Sequence, residues 1–101
     1  MKLSVEIDEV YTFKLGSGEE LIAKVKSIDD GFIIIDEPVS IAPTPQGMGL
    51  VPSMFTVDTK KEIRLNTNSV SLSGPTEDAI KDRYLEATTG IKVPSKKIIL
   101  G

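Results

Sequence analysis

Short apolar–polar alternations separated by turn residues dominate this chain and point to an all-β core. In the first stretch the odd positions Leu3, Val5, Ile7, Tyr11, Phe13 and Leu15 are apolar and the even ones mostly polar, so one face is buried. Asp8-Glu9-Val10 interrupts the pattern, dividing two strands or bending one sharply. A one-turn helix over residues 2–8 competes with the strand reading there. Gly16-Ser17-Gly18 has hairpin-turn composition. From Glu20 to Ile28, Leu21, Ala23 and Val25 share a face opposite Lys24 and Lys26, and Asp29-Asp30-Gly31 turns the chain again. Phe32-Ile33-Ile34-Ile35 is too short for a helix. Its β-branched residues predict a strand buried on both faces, continued in alternation by Val39 and Ile41.

Pro43-Thr-Pro-Gln-Gly-Met-Gly49 predicts an irregular loop, either a binding loop or a plain connector. Leu50 to Val57 and Glu62 to Leu72 read as a second hairpin turning at Asp58-Thr59-Lys60-Lys61, with Asn66-Thr67-Asn68-Ser69 a tight turn or bulge midway. Ser73-Gly74-Pro75-Thr76 then starts a helix over residues 75–89, with Glu77 and Asp78 at its positive end. Ala79, Ile80, Arg83, Tyr84 and Ala87 form its packing stripe, and Gly90 is the stop. In the tail, residues 91–101, the triplet Ile98-Ile99-Leu100 is expected to pair or pack, because such a triplet in water invites aggregation. The whole reads as one domain of 101 residues.

Composition narrows the chemistry. The chain has no Cys and no His, which removes disulfides, thiolate metal sites, cysteine nucleophiles and the usual general base. Asp29, Asp30, Asp36 and Glu37 bracket one strand, but Asp30-Gly31 is accounted for as a turn and no carboxylate metal motif is present. Gly16-x-Gly18 lacks the third glycine and the helix of a dinucleotide site. No Ser, Thr or Lys stands at a recognisable spacing from an activating partner. The expectation is a non-enzymatic module without cofactor or metal. No apolar run approaches the ~20 residues of a membrane span, and the N-terminus lacks a signal-peptide core, so a cytoplasmic protein without a membrane partner is expected. The net charge of −3 argues against a dedicated nucleic-acid protein. Lys92, Lys96 and Lys97, with no acid among residues 91–101, make the tail locally basic: either a phosphate contact or a solvated end. Of the five aromatics, Phe13, Phe32 and Tyr84 fall in core-like patterns, while Phe55 and Tyr11 are the surface candidates for stacking.

Residues 11–29 carry a resemblance. Gly18, Leu21, Val25, Ile28 and Asp29 are placed as in the first motif of the Sm/LSm family, with Ala23 where that family usually has glycine. Leu65-Asn66-Thr67-Asn68-Ser69-Val70 resembles the second motif, and the likeness spans about residues 9–73. It implies a strongly bent five-stranded, SH3-like barrel over residues 1–73, followed here by the C-terminal helix and short tail. The family's helix usually precedes the barrel. The resemblance also implies a homo-oligomeric ring of five to seven subunits. In it Met54, Phe55, Thr56 and Val57 of one subunit would pair with Val70, Ser71, Leu72 and Ser73 of the next. Asp29, Phe32, Asn66 and Asn68 take the positions equivalent to the family's uridine pocket. The pocket is degenerate: no Asn follows Asp29 at the family's spacing, and the family's Arg-Gly is Asn66-Thr67.

The expected function is therefore a ring-forming binding scaffold, with single-stranded RNA as partner and Lys92, Lys96 and Lys97 on phosphate. The rival from another class is a structural or protein-interaction ring with no nucleic-acid role. A monomeric small barrel of OB or SH3 type is the third reading.

Overall fold

The computed structural model describes residues 5–89. Six strands and one helix follow in order: β1 (Val10–Leu15), β2 (Glu20–Asp29), β3 (Phe32–Thr44), β4 (Gly47–Pro52), β5 (Ile63–Asn66), β6 (Val70–Pro75) and α1 (Asp78–Thr89). All strand pairs are antiparallel, and the sheet runs β4-β3-β2-β1-β6 with β5 also on β3. Phe32 to Ile35 pair with both β2 and β5, while Val39 and Ser40 pair with both β2 and β4. β4 and β5 therefore lie along the same edge of β3, as two pieces of one lane. The excursion of residues 53–62 separates them.

That excursion corrects the expected topology. Leu50–Val57 and Glu62–Leu72 do not form a hairpin with each other: β4 and β5 both pair with β3, and residues 54–57 belong to no strand. The sheet is also open rather than a closed five-stranded barrel, because β5 and β6 share no ladder among the described residues. A 3₁₀ turn, Thr67–Ser69, joins them, with Asn66 as its N-cap. Residues 43–49 are not an irregular loop either. β3 runs to Thr44, β4 starts at Gly47, and Thr44 Oγ1 donates to the Gly47 carbonyl at 2.6 Å across the hairpin tip. Beyond Ser40 β3 has left β2 and forms a two-stranded ribbon with β4, a setting of edge strands where proline is tolerated. The segment before β1 forms no strand over residues 5–9, and Asp8 has a left-handed φ of 71°. Residues 2–4 of the competing helix lie outside the described residues.

Two apolar layers result. Inside the bend, Tyr11, Phe13, Leu21, Ala23, Val25, Ile33, Ile35, Ile63, Leu65 and Val70 form the main core. On the outer face Val10, Ile22 and Val39 pack with Tyr84 under α1, flanked by Ile41, Leu50, Ile80 and Leu85. Strand parity alone would send Ile33, Ile35, Val39 and Ile41 to one face. The register explains why it does not. Ile22 faces Val39 but Lys24 faces Asp36, so β3 carries one extra residue in a bulge at Glu37-Pro38, with Glu37 at φ 48°. The bulge reverses the parity and turns Val39 and Ile41 outward beneath the helix.

α1 begins three residues later than the composition predicts, and its buried side is shifted from the expected stripe. Tyr84 and Glu86 are buried and Ile80, Leu85 and Thr88 half-buried, while Ala79, Arg83 and Ala87 of the expected stripe are exposed. The Tyr84 hydroxyl donates to the Asp36 carbonyl at 2.8 Å and accepts from the Lys24 amide at 3.1 Å. It thus bridges the backbone pair beside the bulge. Burial pushes the phenol well above its ordinary range; the Lys24 hydrogen bond opposes this, and the nearby Asp36 and Glu37 charges add to it. Gly90 and the whole tail, including Ile98-Ile99-Leu100, lie outside the described residues.

Candidate functional site

The β2–β3 turn and the 3₁₀ turn meet at one end of the sheet. Gly31, at φ 87°, takes the left-handed conformation the Asp30-Gly31 turn requires. Its carbonyl accepts from both the amide and the hydroxyl of Thr67, at 3.1 and 3.0 Å. Phe32 lies opposite Asn66 in the β3–β5 register, and Asp29 opposite Phe32 across the turn. Asp29, Phe32 and Asn66 are therefore brought together, and Asn68 stands two residues on in the 3₁₀ turn. Asn66 Oδ1 accepts from the Asn68 amide at 2.9 Å and the Asn66 carbonyl from Ser69 Oγ at 2.7 Å. Asn66 spends its side-chain acceptor on the cap, and its NH₂ makes no hydrogen bond among the described residues.

The residue that sequence reasoning missed is Arg64. Its guanidinium lies 5.0 Å from the centroid of the Phe32 ring, a cation–π arrangement, and 3.5 Å from Glu62. The signal lies in the β3–β5 register. Arg64 and Asn66 share strand parity, so a long side chain at 64 lies diagonal to Phe32. The site thus combines a half-buried aromatic capped by a guanidinium with two exposed carboxamide residues. Such groups stack on and hydrogen-bond to an unpaired base. Asp29, Asp30 and Glu62 surround them with exposed negative charge, and Arg64 is already partnered by Glu62.

The other predicted residues disperse. Val70, Ser71, Leu72 and Ser73 lie in β6, where Leu15 pairs with Val70, Lys14 with Leu72 and Phe13 with Ser73. β1 takes one edge of β6, the other has no partner strand among the described residues, and Leu72 is 66% exposed. Met54, Phe55, Thr56 and Val57 supply no strand edge. Val57 packs against the inner core, and Phe55 is 83% exposed. Tyr11 is buried, which removes it from the stacking candidates: its hydroxyl accepts from the Glu6 amide at 2.9 Å. Lys92, Lys96 and Lys97 lie outside the described residues. Asp29 and Asp30 are at one end of the β2–β3 pairing, whereas Asp36 and Glu37 are at the bulge, so the four acids do not converge. Among the described residues no three acidic side chains gather as metal ligands would, and no helix is long and apolar enough to cross a membrane. No family model matches the chain, and no curated protein matches it significantly.

Proposed function

We propose that the chain is a subunit of an Sm-like homo-oligomeric ring that serves as a binding scaffold for single-stranded RNA. The observation that carries the ring is the pair of open edges. β6 lies at one end of the sheet and the β4–β5 lane at the other, each with backbone donors and acceptors that no strand among the described residues takes up. An open edge is a template for another strand. Two different edges on one subunit make a head-to-tail contact, which closes into a ring when the rotation permits. β6 of one copy then pairs with the β4–β5 lane of the next, in place of the 54–57 partner expected from the sequence. Native mass spectrometry tests it: one closed oligomer of the family's five to seven subunits supports the ring. A monomer at micromolar concentration overturns it and favours an isolated small barrel.

The Phe32–Arg64–Asn66–Asn68 cluster is what supports RNA. The acids beside it favour the second reading, a ring whose partner is protein. A fluorescent single-stranded oligonucleotide titrated at low salt separates them. Binding that weakens steeply with salt is the RNA outcome, and no binding by an intact ring is the protein outcome.

A further inference from the structure

Between α1 and the β3–β4 ribbon runs an apolar trough that nothing among the described residues covers. Two hollows make it, of about 290 and 420 Å³, and Leu50 lines both. The first has Ile22, Ile41, Met48 and Ile80 on its walls; the second has Pro38, Val51, Met54 and Phe55. Met48 and Phe55 are 62% and 83% exposed, a large apolar surface for so small a domain.

The order of the lining residues gives the trough a direction and a length. Ile80 and Arg83 of α1 border the first hollow, Ala87 and Thr88 the second. These four share one helix face, and the step from Ile80 to Ala87 is two turns, about 10 Å. β4 runs the same way, with Met48 and Gly49 at the first hollow and Val51 and Pro52 at the second. Two apolar seats about 10 Å apart match the anchors at i and i+7 of an amphipathic helix, with i+3 or i+4 over Leu50 between them. The walls are side chains, which offer few backbone partners. A helix satisfies its own backbone there, and an extended segment would not.

Charge names the chemistry of the occupant. Glu20 and Glu77 line the first hollow and Glu37 the second, against the single lining cation Arg83. All fifteen acids of the chain fall among the described residues, with eight of its twelve lysines and arginines. The described surface of a second copy would therefore bring like charge to this rim, and so would a nucleic-acid strand. A basic segment meets complementary charge and is steered towards it.

We propose that the trough docks a basic amphipathic helix of a partner protein. Its apolar anchors seat in the two hollows, and its lysines or arginines lie against the acidic rim. The trough shares no residue with the Phe32–Arg64–Asn66–Asn68 cluster. The docking therefore stands whether or not a ring forms or RNA binds.

The probe is a fluorescein-labelled peptide of about fifteen residues, four helical turns, with leucine at i, i+3, i+4 and i+7 and lysine elsewhere. Titrated with the full chain, it should give a saturable rise in anisotropy and a gain of helical circular dichroism. Native mass spectrometry should show one peptide per chain, and the oligomeric state in the same spectrum decides the ring separately. Met48→Lys at the first hollow and Ala87→Lys at the second, both exposed positions, should each weaken binding about tenfold or more, as losing one anchor seat does. Ser17→Lys adds the same charge at an exposed position that lines neither hollow and should leave binding unchanged. Absence of saturable binding overturns the proposal. So does binding that survives both hollow variants, which would place the peptide elsewhere, or that Ser17→Lys weakens equally, which would make it an effect of bulk charge. Equal binding of a peptide whose leucines and lysines alternate favours an extended partner and overturns the helix. Equal binding of the same leucine pattern on glutamate overturns the basic partner.

Discussion

Tyr84→Phe removes one oxygen and leaves the ring, which makes it a clean probe of how α1 is held. The phenol is almost fully buried, and its hydroxyl is the side-chain partner of two backbone groups, the Lys24 amide and the Asp36 carbonyl. Those groups face each other across the β2–β3 register where the bulge disturbs the ladder. Without the oxygen a donor and an acceptor lose this partner together. Each unsatisfied buried group costs about 1–3 kcal/mol, and a normal hydrogen bond is worth about 1 kcal/mol net. With partial relaxation the variant should lose about 2 kcal/mol in urea unfolding with an unchanged m-value. That corresponds to a fall in Tm of roughly 8–16 °C for a domain this size. The Lys24 amide should lose hydrogen-exchange protection in the same experiment. If α1 is held by apolar burial alone, Tyr84→Phe would cost less than about 0.5 kcal/mol, the ordinary scatter of harmless substitutions, and the reasoning fails.

The same hydroxyl predicts an alkaline limb. In the unfolded chain the phenol ionises near pH 10, whereas burial raises the folded value well above that. From about pH 10 upward the unfolded state releases a proton that the folded state keeps. The contribution of this group is fully present below pH 10 and is lost as pH rises, at up to about 1.4 kcal/mol per pH unit. Tyr84→Phe should lack that component, so its stability should converge on the parent's as pH climbs. Parallel curves above pH 10 would refute the assignment.

Three further substitutions have definite outcomes. Leu72→Lys places a charge on the exposed β6 edge and should convert the proposed ring to monomers in native mass spectrometry, with the melting of the monomer itself little changed. Arg64→Ala removes the guanidinium over Phe32 and should weaken oligonucleotide binding by about tenfold, the roughly 1–3 kcal/mol of a stacked cation and base. It should leave the oligomer intact. Gly31→Ala meets no steric neighbour but must take φ 87°, so it should cost about 1–2 kcal/mol in denaturant unfolding through backbone strain alone.

What could be read in advance follows the physics of each segment. Phe13, Leu21, Ala23 and Val25 obey strict alternation, and their inward face was legible from it, whereas Tyr11, on the same alternation, was kept as a surface candidate and is buried. The turns at Gly18 and Gly31 were legible because both glycines take positive φ. The Asn66–Ser69 turn was legible because Asn caps its own turn. The β3–β4 ribbon was not. Pro43 disfavours strand in general, and only the knowledge that β3 pairs with β2 no further than Ser40 shows it on a two-stranded ribbon, while Pro45 lies in the tip between β3 and β4. The site was half legible. Asp29, Phe32 and Asn66 emerged from a motif, whereas Arg64 lies outside that motif and needed the β3–β5 register. The placing of 54–57 on a strand failed because composition does not say that β4 stops at Pro52 and restarts at Ile63.

One extra residue in β3 connects the two layers of this fold, and two deletions test it. Asp36 faces Lys24 and Val39 faces Ile22, so Glu37 and Pro38 share the place opposite Ala23. Deleting Glu37 alone leaves Pro38 in that place and keeps Val39 opposite Ile22. It also removes a residue held at φ 48°, so the change should be neutral or stabilising, with α1 still seated. Deleting Glu37 and Pro38 together puts Val39 opposite Ala23 and Ser40 opposite Ile22, which sends Val39 and Ile41 to the inner face and turns a polar residue towards the helix. Losing the packing of Val39 and much of Tyr84 beneath α1 should cost more than about 3 kcal/mol, exceed the effect of Tyr84→Phe, and release the helix while the inner core stays ordered. Hydrogen exchange resolved by segment decides. Protection lost across residues 78–89 in the double deletion alone, and kept in β1 and β2, supports the parity argument. Protection across residues 78–89 that survives the double deletion, or is already lost in the single one, refutes it.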